Sequence, residues 1–231
     1  MASTESAAHT ATSQAASSYR LAPEHRVILD LVPPNSRVLD LGCGEGDLLK
    51  ALKVEKGARA EGIDLSDGCI QACVAKGLFN VHQGDLDQGL ADYADQAMDY
   101  VILTNTIQVV HRPLFLIEEM ARVGRQCIIA FPNFGHWAVR SQLFFRGRMP
   151  KTPRLPYEWY DTPNIRLLTI RDFRDFCRAA DLTIKREIAL RTRPDGRTSP
   201  ARLLSNLLAD TAIFLVERQP GPSAHGRDSI P

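Results

Sequence analysis

The chain has 231 residues, 44% of them hydrophobic, which lets it bury one substantial core and sets it within the range of a single α/β domain. Its 28 Lys and Arg stand against 27 Asp and Glu, so no overall field draws it to nucleic acid or to an anionic membrane. Cys43, Cys69, Cys73, Cys127 and Cys177 are odd in number and lack C-x-x-C spacing, so they read as reduced thiols of a cytoplasmic protein, with Cys69 and Cys73 as core side chains and no metal site.

In chain order, residues 1–18 are mostly Ala, Ser and Thr, without a basic region or a long apolar run, and do not read as a secretory signal. Being poor in large apolar groups, 1–18 and 219–231 are expected to be disordered tails, leaving 19–218 as one domain. No stretch is apolar for long enough to span a bilayer. Short apolar runs bounded mostly by Gly, Asp, Asn or Pro predict strands at 37–41, 58–64, 80–83, 99–104 and 126–131. Between them Leu48, Leu49 and Leu52, then Ile70 and Val74, then Leu114, Ile117, Met120 and Ala121 recur at helical spacing. Strand, helix, strand at these separations demands crossover connections, hence a parallel sheet with helices on both faces.

After the fifth strand comes an excursion, 134–165. Pro150, Pro153, Pro156 and Pro163 forbid continuous helix or central strand over its latter part, while Tyr157, Trp159 and Tyr160 supply large rigid faces near Arg146, Arg148 and Arg154. An ordered surface segment is expected, acting as a lid, a docking surface or an arm packed on its own domain. Ile170, Phe173, Phe176, Cys177 and Ala180 then share one face of a surface helix. Strand candidates at 182–190 and 211–217 close the pattern, and the polar loop between them, with Pro194, Asp195-Gly196 and Pro200, lets the last strand reverse. The arginines of 186–197 read as a solvated edge.

The chemistry begins at Val38-Leu-Asp-Leu-Gly-Cys-Gly-Glu-Gly-Asp47. A strand ends at Leu41 and a helix begins near Asp47, so Gly42, Gly44 and Gly46 lie in a turn beyond the carboxyl end of the first strand, where open α/β sheets bind ligands. A dinucleotide fingerprint would place its third glycine at position 47, where this chain carries Asp and a pyrophosphate would meet a carboxylate. S-adenosylmethionine has no phosphate, and its ammonium and sulfonium suit Asp40, Glu45 and Asp47, with Cys43 in the same turn. Asp64, followed by Leu65 at the tip of the second strand, is expected to accept from both ribose hydroxyls. Gly84, Asp85 and Leu86, after the third strand, would border adenine, with Asp85 accepting from its exocyclic amine.

Asp40-Leu-Gly-Cys-Gly-Glu-Gly46 resembles motif I of class I methyltransferases, whose antiparallel last edge strand agrees with the reversal at the end of the chain. The expected fold is therefore α/β, a doubly wound, Rossmann-like class I methyltransferase sheet, mostly parallel with an antiparallel last edge strand. Five narrower stretches resemble the MetW family of methionine biosynthesis: Gln108-Val-Val-His-Arg-Pro113, Phe131-Pro-Asn-Phe-Gly-His-Trp137, Gly147-Arg-Met-Pro150, Pro156-Tyr-Glu-Trp-Tyr-Asp-Thr-Pro-Asn164 and Thr169-Ile-Arg-Asp-Phe173. The resemblance spans about residues 20–218. It implies S-adenosylmethionine, or S-adenosylhomocysteine, as ligand, and a role beside a MetX-type homoserine O-acyltransferase whose activity such proteins support.

Methyl transfer is an in-line displacement that asks the protein mainly to position an acceptor, so no signature residue is obligatory. The Asn/Asp-Pro-Pro-Tyr/Phe motif common in amino-directed enzymes is replaced here by Thr104-Asn-Thr-Ile-Gln108, which argues against nucleic-acid and protein-amine acceptors. Asn105, Gln108 and His111 after strand four, and Asn133, His136 and Trp137 after strand five, are the candidates for an acceptor pocket, with His111 or His136 as base or as structural imidazole. Two readings stand: a ligand-binding partner and activator of the acyltransferase, docking through the excursion, or a methyltransferase acting on a small molecule.

Overall fold

A computed structural model describes residues 19–193 and 197–218. The expected tails, 1–18 and 219–231, and the turn residues Pro194, Asp195 and Gly196 lie outside the described residues. Eight strands form one sheet: β1 (Arg37–Leu41), β2 (Arg59–Asp64), β3 (Val81–Gln83), β4 (Met98–Thr104), β5 (Gly124–Pro132), β6 (Leu182–Thr192), β7 (Thr198–Pro200) and β8 (Thr211–Arg218). Their order is β3-β2-β1-β4-β5-β8-β6-β7. The first five strands pair in parallel. The last strand, β8, reverses as expected and pairs antiparallel with both β5 and β6, so the edge on that side is the short β7, antiparallel to β6. The stretch between β6 and β8, expected as loop alone, also carries β7, whose last residue is Pro200, a position where an edge strand tolerates proline.

Helices α1 (Pro23–Leu31), α2 (Asp47–Lys56), α3 (Asp67–Ala75), α4 (Pro113–Val123), α5 (Trp137–Arg146), α6 (Ile170–Ala179) and the one-turn α7 (Ser205–Leu208) connect the strands. The central strands bury both faces, as parallel strands covered by helices must. Leu39, Leu41, Leu103, Phe131 and Phe214 pack with Leu116, Ile117 and Phe173 of α4 and α6. On the other face Val38, Ile102, Ile128 and Ile213 pack with Ile28 of α1 and with Leu48 and Leu52 of α2. Successive strand side chains alternate, so Asp40 and Thr104, two residues beyond Val38 and Ile102, stand on the α1–α2 face. Asp40 pairs in register with Ile102, which sets the two polar residues on neighbouring strands at the carboxyl rim.

Capping follows local chemistry. Gly46 and Gly57 flank α2 in the left-handed conformation, and Thr169 and Asp172 form a reciprocal capping box on α6. Among the described residues no helix is long and apolar enough to cross a membrane, and all five cysteines are free thiols.

Candidate functional site

The chain runs β1, β2, β3 to one side and returns to lay β4 on the other side of β1, so the ends of β1 and β4 diverge at a topological switch point. A cavity of about 240 Å³ opens there, lined by His25, Asp40, Gly42, Cys43, Gly44, Glu45, Asp47, Leu48, Thr104 and Asn105. The glycines have different tasks. A Cβ on Gly42 would lie 2.4 Å from Thr106 Oγ1 and one on Gly46 2.6 Å from Leu78, whereas one on Gly44 meets nothing within 4 Å. Packing thus requires Gly42 and Gly46, while Gly44 leaves its backbone open to a ligand.

Asp40 is 2% exposed, and its Oδ1 has no hydrogen-bond partner. Burial, with the Asp64 charge adding, pushes its carboxyl up to about 7. His25 Nδ1 and Thr104 Oγ1 are likewise buried and unpartnered. Three of the five such side-chain atoms among the described residues therefore belong to residues lining this cavity, the other two being Gln108 Oε1 and Asn206 Oδ1, a concentration that marks a built polar site. Burial pulls His25 below its ordinary value, so its ring is neutral at physiological pH. Glu45 and Asp47 differ from Asp40 because Lys76, capping α3, lies 2.6 Å from Asp47 and 3.7 Å from Glu45.

The second group of expected ligand residues forms an open shelf beside the cavity. Asp64 Oδ2 accepts from Gly44 N–H at 2.8 Å and Oδ1 from Ser66 N–H at 2.9 Å, which ties the tip of β2 to the glycine turn. Gly84 N–H donates to the Asp64 carbonyl at 3.0 Å, bringing the ends of β2 and β3 together. Leu65 is exposed, Leu86 is buried, and Asp85 caps the short 3-10 turn Leu86–Gln88 by accepting from Asp87 N–H. Asp64, Leu65, Gly84, Asp85 and Leu86 are not among the cavity's lining residues.

Of the acceptor candidates, Asn105 alone lines the cavity, in left-handed backbone (φ 54°). His111 is exposed, with its backbone joined to Asp87 and Arg166. His136 packs on Trp137 at the start of α5, partly buried and held below its ordinary pKa by desolvation. Asn133 spends its amide on the carbonyls of Asn206 and Ala209 and its Oδ1 on Gly135 and Ile170 N–H, a structural role. The cavity's histidine is His25, on a helix whose buried Glu24 breaks the apolar pattern that reveals the others.

A polar network clasps the cavity's outer wall. Glu24, 2% exposed on α1, accepts from Arg154 at 2.9 and 3.0 Å and from Asn105 Nδ2 at 3.2 Å. Arg154 also lies 3.7 Å from Asp210 and donates to Thr192 at 3.4 Å. The excursion is thereby fastened to the site. Where it ends, Ile165 N–H and the following Arg166 N–H donate to the Gln108 carbonyl at 2.9 and 3.1 Å. Facing outward it leaves Phe144, Phe145, Trp159 and Tyr160 exposed.

The sheet order and the position of the glycine turn define an α/β protein of the class I methyltransferase fold. Solved structures agree: SAM-dependent methyltransferases from Thermotoga maritima (TM-score 0.63, 14% identity, covering 85% of this chain and 88% of that one) and Archaeoglobus fulgidus (0.61, 17%, 84% and 91%) share it. The profile described as "Methionine biosynthesis protein MetW" matches residues 22–216, and the chain belongs to that family. It is 36% identical over 201 residues to the "Bifunctional methionine biosynthesis protein MetXA/MetW" of Rhodopirellula baltica, covering 83% of this chain and 32% of that one. The chain thus spans about a third of the length of that relative.

Proposed function

We propose that this chain binds S-adenosylmethionine or S-adenosylhomocysteine and acts in the cytoplasm as the partner and activator of a MetX-type homoserine O-acyltransferase. The observation that carries the ligand is the unpartnered Asp40 carboxyl at the cavity beside Gly44, where an open backbone and a buried acid suit a cationic amino-acid end. Asp64 and Leu65, with Gly84, Asp85 and Leu86 beyond them, suit the ribose and adenine on the adjoining shelf. Cys43, Glu45 and Gly46 complete the turn. S-adenosylmethionine, if bound and turned over, would supply an activated methyl carbon and leave S-adenosylhomocysteine.

The partner reading rests on the excursion. Its end at Ile165 is bonded to Gln108 on the ground beyond β4 that an acceptor would cross, while Phe144, Phe145, Trp159 and Tyr160 are exposed, an arrangement suited to docking. The MetXA/MetW relative joins the two activities' names in one chain, in keeping with association of separate chains. The test mixes the purified chain with a homoserine O-acyltransferase and follows complex formation and acyl transfer with and without S-adenosylmethionine. A complex with a raised acylation rate is expected; no complex and no change in rate would remove the partner reading.

A methyltransferase acting on a small molecule is the second reading. Asn105, held in left-handed backbone at the cavity, favours it, because strained polar residues gather where ligands are positioned. S-adenosylhomocysteine accumulating in proportion to an added acceptor would establish it.

A further inference from the structure

We infer that His25 of α1 binds the carboxylate of the ligand's amino-acid end, and so makes the cavity selective for an intact α-amino acid; this rests on the S-adenosylmethionine reading above. The cavity and the shelf meet at the Asp64–Gly44 hydrogen bond, so a ligand whose ribose sits on Asp64 sends its amino-acid end into the cavity. There the two charges of a zwitterion need opposite partners. Asp40, buried and unpartnered at Oδ1, takes the ammonium. Glu45 and Asp47 are acidic and share Lys76, which leaves His25 as the sole nitrogen base among the lining residues.

Four features suit His25 to a carboxylate. Its Nδ1 is buried without a hydrogen-bond partner, so a ligand acceptor there satisfies an atom the fold leaves unpaired. It stands in the first turn of the nine-residue α1, where unbonded backbone N–H groups and the helix dipole favour negative charge. The neighbouring acid, Glu24, is already neutralised by Arg154 and bonded to Asn105, so it does not repel the ligand. Burial keeps the ring neutral in the free protein, and one ring N–H is then available as a donor without an ionisation step.

Calorimetric titration of the full chain with S-adenosylmethionine and with its decarboxylated form, which lacks only the carboxylate, tests this. Wild type is expected to prefer the intact ligand by about tenfold to a hundredfold, the range for a hydrogen bond to a charged group. In His25→Ala the preference should fall to near one, through weaker binding of the intact ligand and unchanged binding of the decarboxylated one. His25→Asn, whose side-chain amide reaches about where Nδ1 lies, should restore much of the preference and guards against misreading a folding defect. Equal losses for both ligands in His25→Ala, with no rescue by Asn, would make His25 merely structural and overturn the inference. A wild type that binds both ligands equally would overturn it while leaving the ligand reading intact, whereas a wild type that binds neither would remove both.

Discussion

Asp40 is poised between two costs. It sits on the α1–α2 face among Val38, Ile102 and Leu48, and burial raises its carboxyl to about 7. Between about pH 4 and pH 7 the folded chain keeps a proton that the unfolded chain has released, so in the ligand-free protein this group lowers stability as pH rises through that window. Asp40→Asn should therefore melt higher than wild type at pH 8, by on the order of 2–4 kcal/mol at about 1.4 kcal/mol for each unit between the two pKa values, and show little gain at pH 4. The same variant should lose most of its affinity for S-adenosylmethionine, since the cation then lacks its counter-charge. For wild type, affinity should rise with pH up to about 7 as the proton leaves; a flat calorimetric profile between pH 5 and pH 8 would contradict that role for Asp40. Asp64 answers to a different test. Its oxygens already hold Gly44 and Ser66 N–H, so Asp64→Ala removes both the ribose acceptor and the brace of the turn. Affinity is expected to weaken by about 1–3 kcal/mol. An unchanged calorimetric affinity would remove the ribose assignment.

At the scale of elements, the Glu24–Arg154 pair decides whether α1 and the excursion act as one wall. Glu24 is nearly inaccessible and Arg154 only partly exposed, so removing the arginine strands a buried carboxylate with Asn105 as its remaining partner. Arg154→Ala should cost about 3–5 kcal/mol and open 146–164 to protease, while Glu24→Gln with Arg154→Met should recover much of that loss, because a buried pair replaced together leaves no charge unpaired. A single variant that melts and resists protease like wild type would show the pair to be ornamental. The same wall explains what the sequence could and could not display. Strands 37–41, 99–104 and 126–131 were legible because their apolar runs are buried on both faces, and the glycine turn because its spacing answers to backbone conformation. Helix α1 was not, since its buried residues are Glu24, Ile28 and Leu29, and a pattern search assigns a glutamate to the solvent face. Helix α5 hid for the opposite reason: Val139 is its one buried residue, and its aromatics face outward. His25 and the Asn105–Glu24–Arg154 network join residues up to 130 positions apart, a proximity that no local spacing encodes.

For the molecule as a whole, the question is how a site on one rim could affect association with another protein. Phe144 and Phe145 pack edge to face and are 83% and 80% exposed, and Trp159 and Tyr160 form a second such pair at 73% and 71%. Each aromatic side chain buries about 150–250 Å² when covered, so the four approach the roughly 800 Å² that one partner contributes to a standard interface. Gln142 on α5 is bonded to Lys151, and Lys151 to Glu158, so the two pairs ride on one braced segment whose Arg154 reaches the cavity wall. A ligand that tightens α1 through His25 then has a physical route to that segment, and any factor by which it strengthens docking must equal the factor by which docking strengthens its own binding. Phe145→Ser with Trp159→Ser should weaken association with the acyltransferase at least about tenfold, as loss of two interface anchors does. Because both side chains are exposed in the free chain, its melting temperature and its affinity for S-adenosylmethionine should stay at wild-type values. Association of the double variant at full strength, measured by sedimentation beside wild type, would move the interface away from the excursion.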